Sequence, residues 1–235
     1  MNILITGTSK GIGSALAAHF LDAGNSVWGI SRSFNHKLAD KSQFSFLQTD
    51  ISDLINLKAD LRNFISKIET LDLVVLNAGV LSPIADLRDT PIDMLKQVMD
   101  VNVWANKIII DCIVESCVVK QIVAISSGAA VSGNRGWNAY AISKAALNML
   151  VNLYSEELPN IHFSALAPGL VDTQMQEYIS ALPVDVKFPV VSRLKQAKGT
   201  KDMPSPESIA SILASAFCML KQLPSGSFSD IRKLI

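Results

Sequence analysis

Net charge is missing from this 235-residue chain: 21 Lys and Arg balance 21 Asp and Glu. A nucleic-acid binder would carry a basic stripe, and no stretch provides one. Cysteine is scarce. Cys112, Cys117 and Cys218 have neither metal-ligand spacing nor a redox partner, which fits packed thiols in a reducing compartment. His19, His36 and His162 are scattered, so no metal site is expected. No apolar run approaches the roughly 18 residues of a membrane span. Met1 runs directly into "NILITG" with no basic region ahead of a long apolar stretch, so no secretory leader is expected. These absences point to a soluble, cytoplasmic chain with neither membrane nor nucleic acid as partner.

What is present is apolar: 49% of residues are hydrophobic and only 18% are charged, as suits a sheet buried on both faces. Strand-like runs fall at 2–6, 26–31, 44–48, 71–76, 121–126, 161–167 and 227–231, with helical patterns between them. Ile12, Leu16 and Phe20 form one stripe of a first helix starting near Gly11. "TPID" predicts a second start, with Thr90 as cap, Pro91 at the first helical position and Asp93 closing a capping box. "SPES" predicts another, with Ser205 as cap. The alternation predicts an α/β fold, a Rossmann-type doubly wound parallel sheet of about seven strands with helices on both faces. No linker divides it, so residues 1–235 are expected to form one domain. The segment at about 172–205, irregular and rich in Pro, Lys and Ser beyond residue 180, is expected to be a substrate loop or lid.

"ITGTSKGIGSAL" follows the first strand and opens the first helix, with Gly7, Gly11 and Gly13 in the spacing GxxxGxG. Glycine allows a tight turn and close backbone approach, and a helix N-terminus offers free N–H groups to a pyrophosphate. A dinucleotide site is expected there. The second strand ends in Ser31 and Arg32 where an NAD-preferring site would place a carboxylate for the ribose 2′-hydroxyl. Arg32 and Lys10 together favour a 2′-phosphate, hence NADP(H).

Tyr140 and Lys144, in "NAYAISKAAL", lie four apart and so share a helix face. A free phenol has a pKa near ~10, too high for proton transfer at neutral pH, and a nearby ammonium lowers it. Ser127, at the carboxyl end of the fifth strand, can donate to a carbonyl oxygen, and "LNAG" (76–79) ends the fourth strand at the same sheet edge. Asn102 is a polar residue inside an otherwise apolar helical stretch.

"TGTSKGIG", "NAG", "ISS", "YAISK" and "PGLVDT" occur in the order and at the spacings of the short-chain dehydrogenase/reductase family, which the chain resembles over nearly its whole length. The resemblance implies a tetrad: Ser127 polarises the carbonyl, Tyr140 is the general acid/base, Lys144 lowers the tyrosine pKa and holds the nicotinamide ribose, and Asn102 holds a water. It implies cofactor contacts from the glycine turn (Gly7, Ser9, Lys10, Gly11, Ile12, Gly13) and from Arg32. Asp50 and Ile51 fall to the adenine, Asn77, Ala78 and Gly79 to its ribose. Pro168, Gly169, Val171 and Thr173 then flank the nicotinamide, beside Tyr140 and Lys144. The family pattern often has a second asparagine where this chain has Leu76. It also implies a homodimer or homotetramer packed through the helices at 90–117 and 139–157.

Trp137, Met175 and Tyr178 are expected to wall the substrate pocket beside Ser127 and Tyr140, which suits an apolar or ring-bearing substrate. "SGAAVSGNRGWNAYAISKAAL" and "SGSFSDI" are similar to the sepiapterin reductase and benzil reductase branch of the family, in which Asp230 matches an aspartate that anchors a pterin. The expected activity is NADPH-dependent reduction of a small ketone or diketone. An NAD(H)-linked alcohol dehydrogenase and a non-catalytic NADP(H)-binding regulator are the alternatives.

Overall fold

The computed structural model describes residues 1–234. Seven strands, β1 (Asn2–Thr6), β2 (Ser26–Ser31), β3 (Phe44–Gln48), β4 (Leu73–Leu76), β5 (Gln121–Ile125), β6 (His162–Ala167) and β7 (Ser227–Asp230), form one sheet. Their spatial order is β3-β2-β1-β4-β5-β6-β7, and every pairing is parallel. The order reverses between β1 and β4, where an open α/β sheet leaves a crevice outside its carboxyl strand ends.

Among the described residues eight α-helices surround the sheet: α1 (Gly11–Asp22), α2 (Leu57–Ile65), α3 (Ile92–Met99), α4 (Ala105–Ser116), α5 (Asn138–Glu157), α6 (Gln174–Ala181), α7 (Pro189–Ala197) and α8 (Pro206–Leu220). Alternate strand residues serve opposite faces. Leu4, Val74, Leu76, Ile122 and Ala124 pack against α2, α4 and α5 through Leu61, Ile109 and Leu147. Ile3, Ile5, Val75, Val123 and Ile125 pack against α1 and α8 through Leu16, Phe20, Leu213 and Phe217. Each such fully buried side chain contributes about 1.5–3 kcal/mol. A third, smaller cluster joins Trp137 and Tyr140 to Ile179, Val190, Val191, Leu194 and Met203, and so ties α6 and α7 to the crevice. Among the described residues no helix is long and apolar enough to cross a membrane.

The structure departs from sequence expectation in four places. The strand expected at 71–76 is divided: Thr70–Leu71 pairs with Val118–Val119 in a separate two-stranded ribbon. The chain changes partner at Asp72, whose carboxylate accepts from the Asn2 N–H (2.8 Å) and from Lys120 (2.6 Å). The helical stretch from residue 90 to 117 is interrupted by a π-helical turn at Asp100–Trp104. Thr90 does not cap α3, because its hydroxyl donates to the Asp86 carbonyl at 3.0 Å; Ser205 does cap α8, accepting from the Ser208 N–H. The segment expected to be an irregular lid contains α6 and α7, held by the apolar residues of the third cluster.

Candidate active site

Gly7 and Gly11 turn the chain from β1 into α1 with φ of 79° and 62°, values that side-chain-bearing residues adopt only with strain. The turn is stitched to the end of β4. Asn77 Nδ2 donates to the Thr6 carbonyl (2.9 Å), and the Asn77 and Ala78 N–H groups donate to Thr6 Oγ1 (3.0 and 2.9 Å). Gly13 stands behind the turn: a Cβ there would lie 2.4 Å from the Gly7 carbonyl oxygen. The missing side chain lets α1 pack directly against the turn. Lys10 precedes α1 in extended conformation, no side chain caps the helix, and no acid lies in its first turn. The α1 N-terminus thus keeps its free N–H groups and its positive end for an anion.

Three candidate reacting groups meet at the carboxyl ends of β5 and the start of α5. Tyr140 is 9% exposed, and its ring lies 5.7 Å from that of Trp137. Lys144, 4% exposed, donates to the Ile125 carbonyl at 2.7 Å and lies 5.9 Å from the Tyr140 ring centre. The Ser127 hydroxyl accepts from the Ala129 N–H at 3.1 Å. Burial raises the Tyr140 pKa, and the Ser127 hydroxyl opposes that rise. Burial pushes the Lys144 ammonium down to about 8. Desolvation thus dominates at Tyr140, and the Lys144 ammonium is engaged by the Ile125 carbonyl.

Asn102 lies in the π turn, fully buried behind Gly79. Its Oδ1 accepts from the Val80 N–H (2.8 Å), and its Nδ2 donates to the Val80 carbonyl and Ser143 Oγ (both 2.9 Å). The side chain braces the loop after β4 against α5. Such π turns recur at functional sites, because the extra residue re-aims one side chain.

These groups share a cleft of about 1620 Å³, larger than the roughly 300–1,000 Å³ of a typical single-ligand pocket. The expected cofactor and substrate residues all line it, Gly13 excepted, and Asn102 stands behind its wall. The room, the uncapped α1 N-terminus and the glycine cradle fit a dinucleotide with a substrate beside it. Arg32 lines the cleft next to Asp50, whose carboxyl is held low by the Ser52 N–H and, to a lesser degree, by Arg32. Lys10 bonds Gln174 at the start of α6, linking the glycine turn to that helix. Met175 and Tyr178 reach the cleft from α6, Trp137 from the turn before α5.

Asp230 ends β7 opposite Ala167 and lines the cleft. Its carboxylate is already paired with Arg232, Oδ1 accepting from Nε at 2.9 Å and Oδ2 from Nη2. The pairing holds its carboxyl below the usual range, and the acceptor expected for a pterin ring is already engaged. Arg232, Gln174, Ser82 and Asn138 carry no motif, which is why sequence reasoning passed over them. Ser82 lies three residues after "NAG", and Asn138 two residues before "YAISK".

Residues 1–182 match the sequence profile described as short chain dehydrogenase. The chain is 40% identical to an uncharacterized oxidoreductase of Schizosaccharomyces pombe, over 74% of this chain and 72% of that protein. It is 30% identical to a benzil reductase ((S)-benzoin forming) of Bacillus subtilis, over 99% of this chain and 98% of that one. Among solved structures, a short chain dehydrogenase/reductase from Saccharomyces cerevisiae superposes with a TM-score of 0.85 at 25% identity, covering 98% and 95% of the two chains. With its sheet order, glycine turn and Tyr140–Lys144 pair, this chain belongs to the short-chain dehydrogenase/reductase family of oxidoreductases.

Proposed function

We propose that the chain is an NADPH-dependent carbonyl reductase acting on small ketones, vicinal diketones such as benzil in particular. The observation that carries this reading is the meeting of Ser127, Tyr140 and Lys144 in one cleft with the glycine turn. The nicotinamide, when bound, supplies the hydride. The Ser127 hydroxyl holds the carbonyl oxygen, and the Tyr140 hydroxyl donates the proton. Reduction needs Tyr140 protonated, and burial raises its pKa, so the phenol enters the cycle in the form a general acid requires. Lys144, cationic below about 8, bears on the cofactor ribose and on the face of the tyrosine. Arg32 and Lys10, with no carboxylate at the end of β2, support a 2′-phosphate and so NADPH over NADH.

The substrate class rests on Trp137, Met175 and Tyr178, an apolar and aromatic wall, and on the benzil reductase likeness. Asp230, held by Arg232, gives no support to a pterin. On the outer side of α4 and α5, Trp104, Ile142, Met149 and Leu153 are 42% to 58% exposed, which supports a second copy packed there in a dimer or tetramer. The test is NADPH oxidation with benzil and other diketones by wild type and Tyr140→Phe. The variant is expected to bind NADPH normally and to lose a factor of about 10²–10⁴ in kcat; residual turnover near wild type overturns the reading.

A further inference from the structure

We propose that Asn138, acting with Ser82, is a positioning residue that fixes where the Tyr140 hydroxyl stands in the cleft; this rests on the carbonyl-reductase reading above. Asn138 is the one non-glycine residue with positive φ (23°) among the described residues, and Gly136, two places earlier, has φ 101°. Two positive-φ residues thus lie at the entry to α5, one before it and one at its first position. Strain of this kind, costing of the order of 1–3 kcal/mol, persists only where the surroundings over-determine it, and it gathers at functional sites.

The surroundings do over-determine it. The Asn138 side chain is 92% buried by its residue's exposure of 8%, and every polar atom is engaged. Its Oδ1 accepts from the Ser82 hydroxyl and from the Ala139 N–H. Its Nδ2 donates to the carbonyls of Pro83 (2.8 Å) and Ala85 (3.2 Å). Ser82 Oγ in turn accepts from the Tyr140 N–H at 3.3 Å. A helix normally leaves its first N–H groups to a cap residue, yet α5 has no such side-chain cap at Trp137. The N–H groups of Ala139 and Tyr140 are satisfied by this clamp instead.

The consequence is geometric. Leu81 and Pro83 line the cleft, so Ser82 belongs to the loop that forms its wall. The clamp fastens the first turn of α5, and with it Tyr140, to that wall. Proton donation depends on the hydroxyl's placement, and a displacement of about 1 Å costs on the order of 10²-fold in rate. Asn138 and Ser82 touch no reacting atom; they act through Tyr140.

The test uses full-length Asn138→Gly, which tolerates the positive φ but lacks the amide, and Ser82→Ala, which removes one hydroxyl. For benzil reduction each is expected to lower kcat about 30- to 100-fold, with the KM for NADPH and NADPH binding by fluorescence within twofold of wild type. The alkaline limb of the kcat–pH profile, which reports the Tyr140 proton, is expected to move. If Asn138→Gly does not fold, Ser82→Ala carries the same test. Wild-type kcat and pH profile in the folded variants overturn the inference, as does a loss of kcat in step with a loss of NADPH binding. Wild type and Tyr140→Phe, run alongside, separate the two readings: a wild type that oxidises no NADPH with any diketone refutes the reductase assignment, wild-type turnover in Tyr140→Phe refutes the role of Tyr140 as acid, and a dead Tyr140→Phe beside fully active clamp variants refutes only the clamp.

Discussion

The Lys144 ammonium stands 5.9 Å from the centre of the Tyr140 ring and donates to the Ile125 carbonyl rather than to the phenol. Both side chains are buried on α5 one turn apart, and burial pushes each toward its neutral form: Tyr140 upward, Lys144 down to about 8. The site therefore concentrates two desolvated polar groups on one helix face.

Lys144 makes stability depend on pH in a defined window. Its folded pKa, about 8, lies below the ~10.4 of an unfolded lysine, so between these values the unfolded chain binds the extra proton and stability rises with pH. Above about 10 the raised tyrosines act in the opposite sense. The difference in unfolding free energy, wild type minus Lys144→Met, is expected to rise by about 2 kcal/mol from pH 8 to pH 10. Urea titrations of both proteins measure it; a flat difference would mean that the amine is hydrated.

Coenzyme choice should turn on Arg32. A guanidinium holding a 2′-phosphate through charge-assisted bonds is worth about 2–3 kcal/mol, so Arg32→Ala is expected to weaken NADPH binding roughly 30- to 150-fold and NADH binding far less. Fluorescence titration with both coenzymes checks this. Equal weakening of the two would move the phosphate contact elsewhere.

Close packing behind the glycine turn gives a prediction with its own control. A Cβ on Gly13 would meet the Gly7 carbonyl at 2.4 Å, whereas one on Gly133 would meet nothing within 4 Å. Gly13→Ala is expected to lose about 1–3 kcal/mol, because backbone and not a flexible side chain is in the way; Gly133→Ala is expected to change stability by no more than about 0.5 kcal/mol. Denaturant midpoints of the pair decide it.

What the sequence disclosed and what it hid have a common physical logic. The strands were legible because "LITG", "LVVL" and "IVAIS" are apolar on both faces, and the cofactor cradle because glycine spacing records backbone conformation directly. Tyr140 and Lys144 were legible because helical spacing alone places them together. The π turn at Asn102 was not, since one inserted residue hardly disturbs a helical period. Nor was the Asp230–Arg232 pair: two residues apart on a strand end, they meet only because the chain turns there. The spacing displays the Lys144 charge but not the burial of Tyr140, a tertiary quantity that raises the phenol's pKa.

The α6–α7 segment, proposed as a lid on the cleft, offers the last prediction. Asp86, in the loop after β4, takes the Arg135 guanidinium on both oxygens (2.6 and 2.8 Å) and Lys187 at 2.9 Å. One carboxylate thus joins the cleft wall, the turn before α5 and the lid segment ahead of α7. Next to it, a Cβ on Gly136 would meet Phe188 at 3.0 Å, so the lid lies directly on that turn. Arg135 first and Lys187 second hold the Asp86 carboxyl well below the usual carboxylate range; a depressed acid contributes its stability above the unfolded value and loses it only as pH falls through the folded one, so the clasp stays charged throughout the mildly acidic to neutral range. Exposed ion pairs contribute little singly, but removing the shared carboxylate leaves two cations facing each other. Asp86→Asn is therefore expected to raise the KM for benzil about 3- to 10-fold, with NADPH affinity unchanged because the glycine turn is untouched. Limited proteolysis should cut the variant between residues 182 and 189 faster than wild type, and an unchanged cleavage pattern with an unchanged KM would show that the apolar contacts of Ile179, Val191 and Leu194 hold the lid without the clasp.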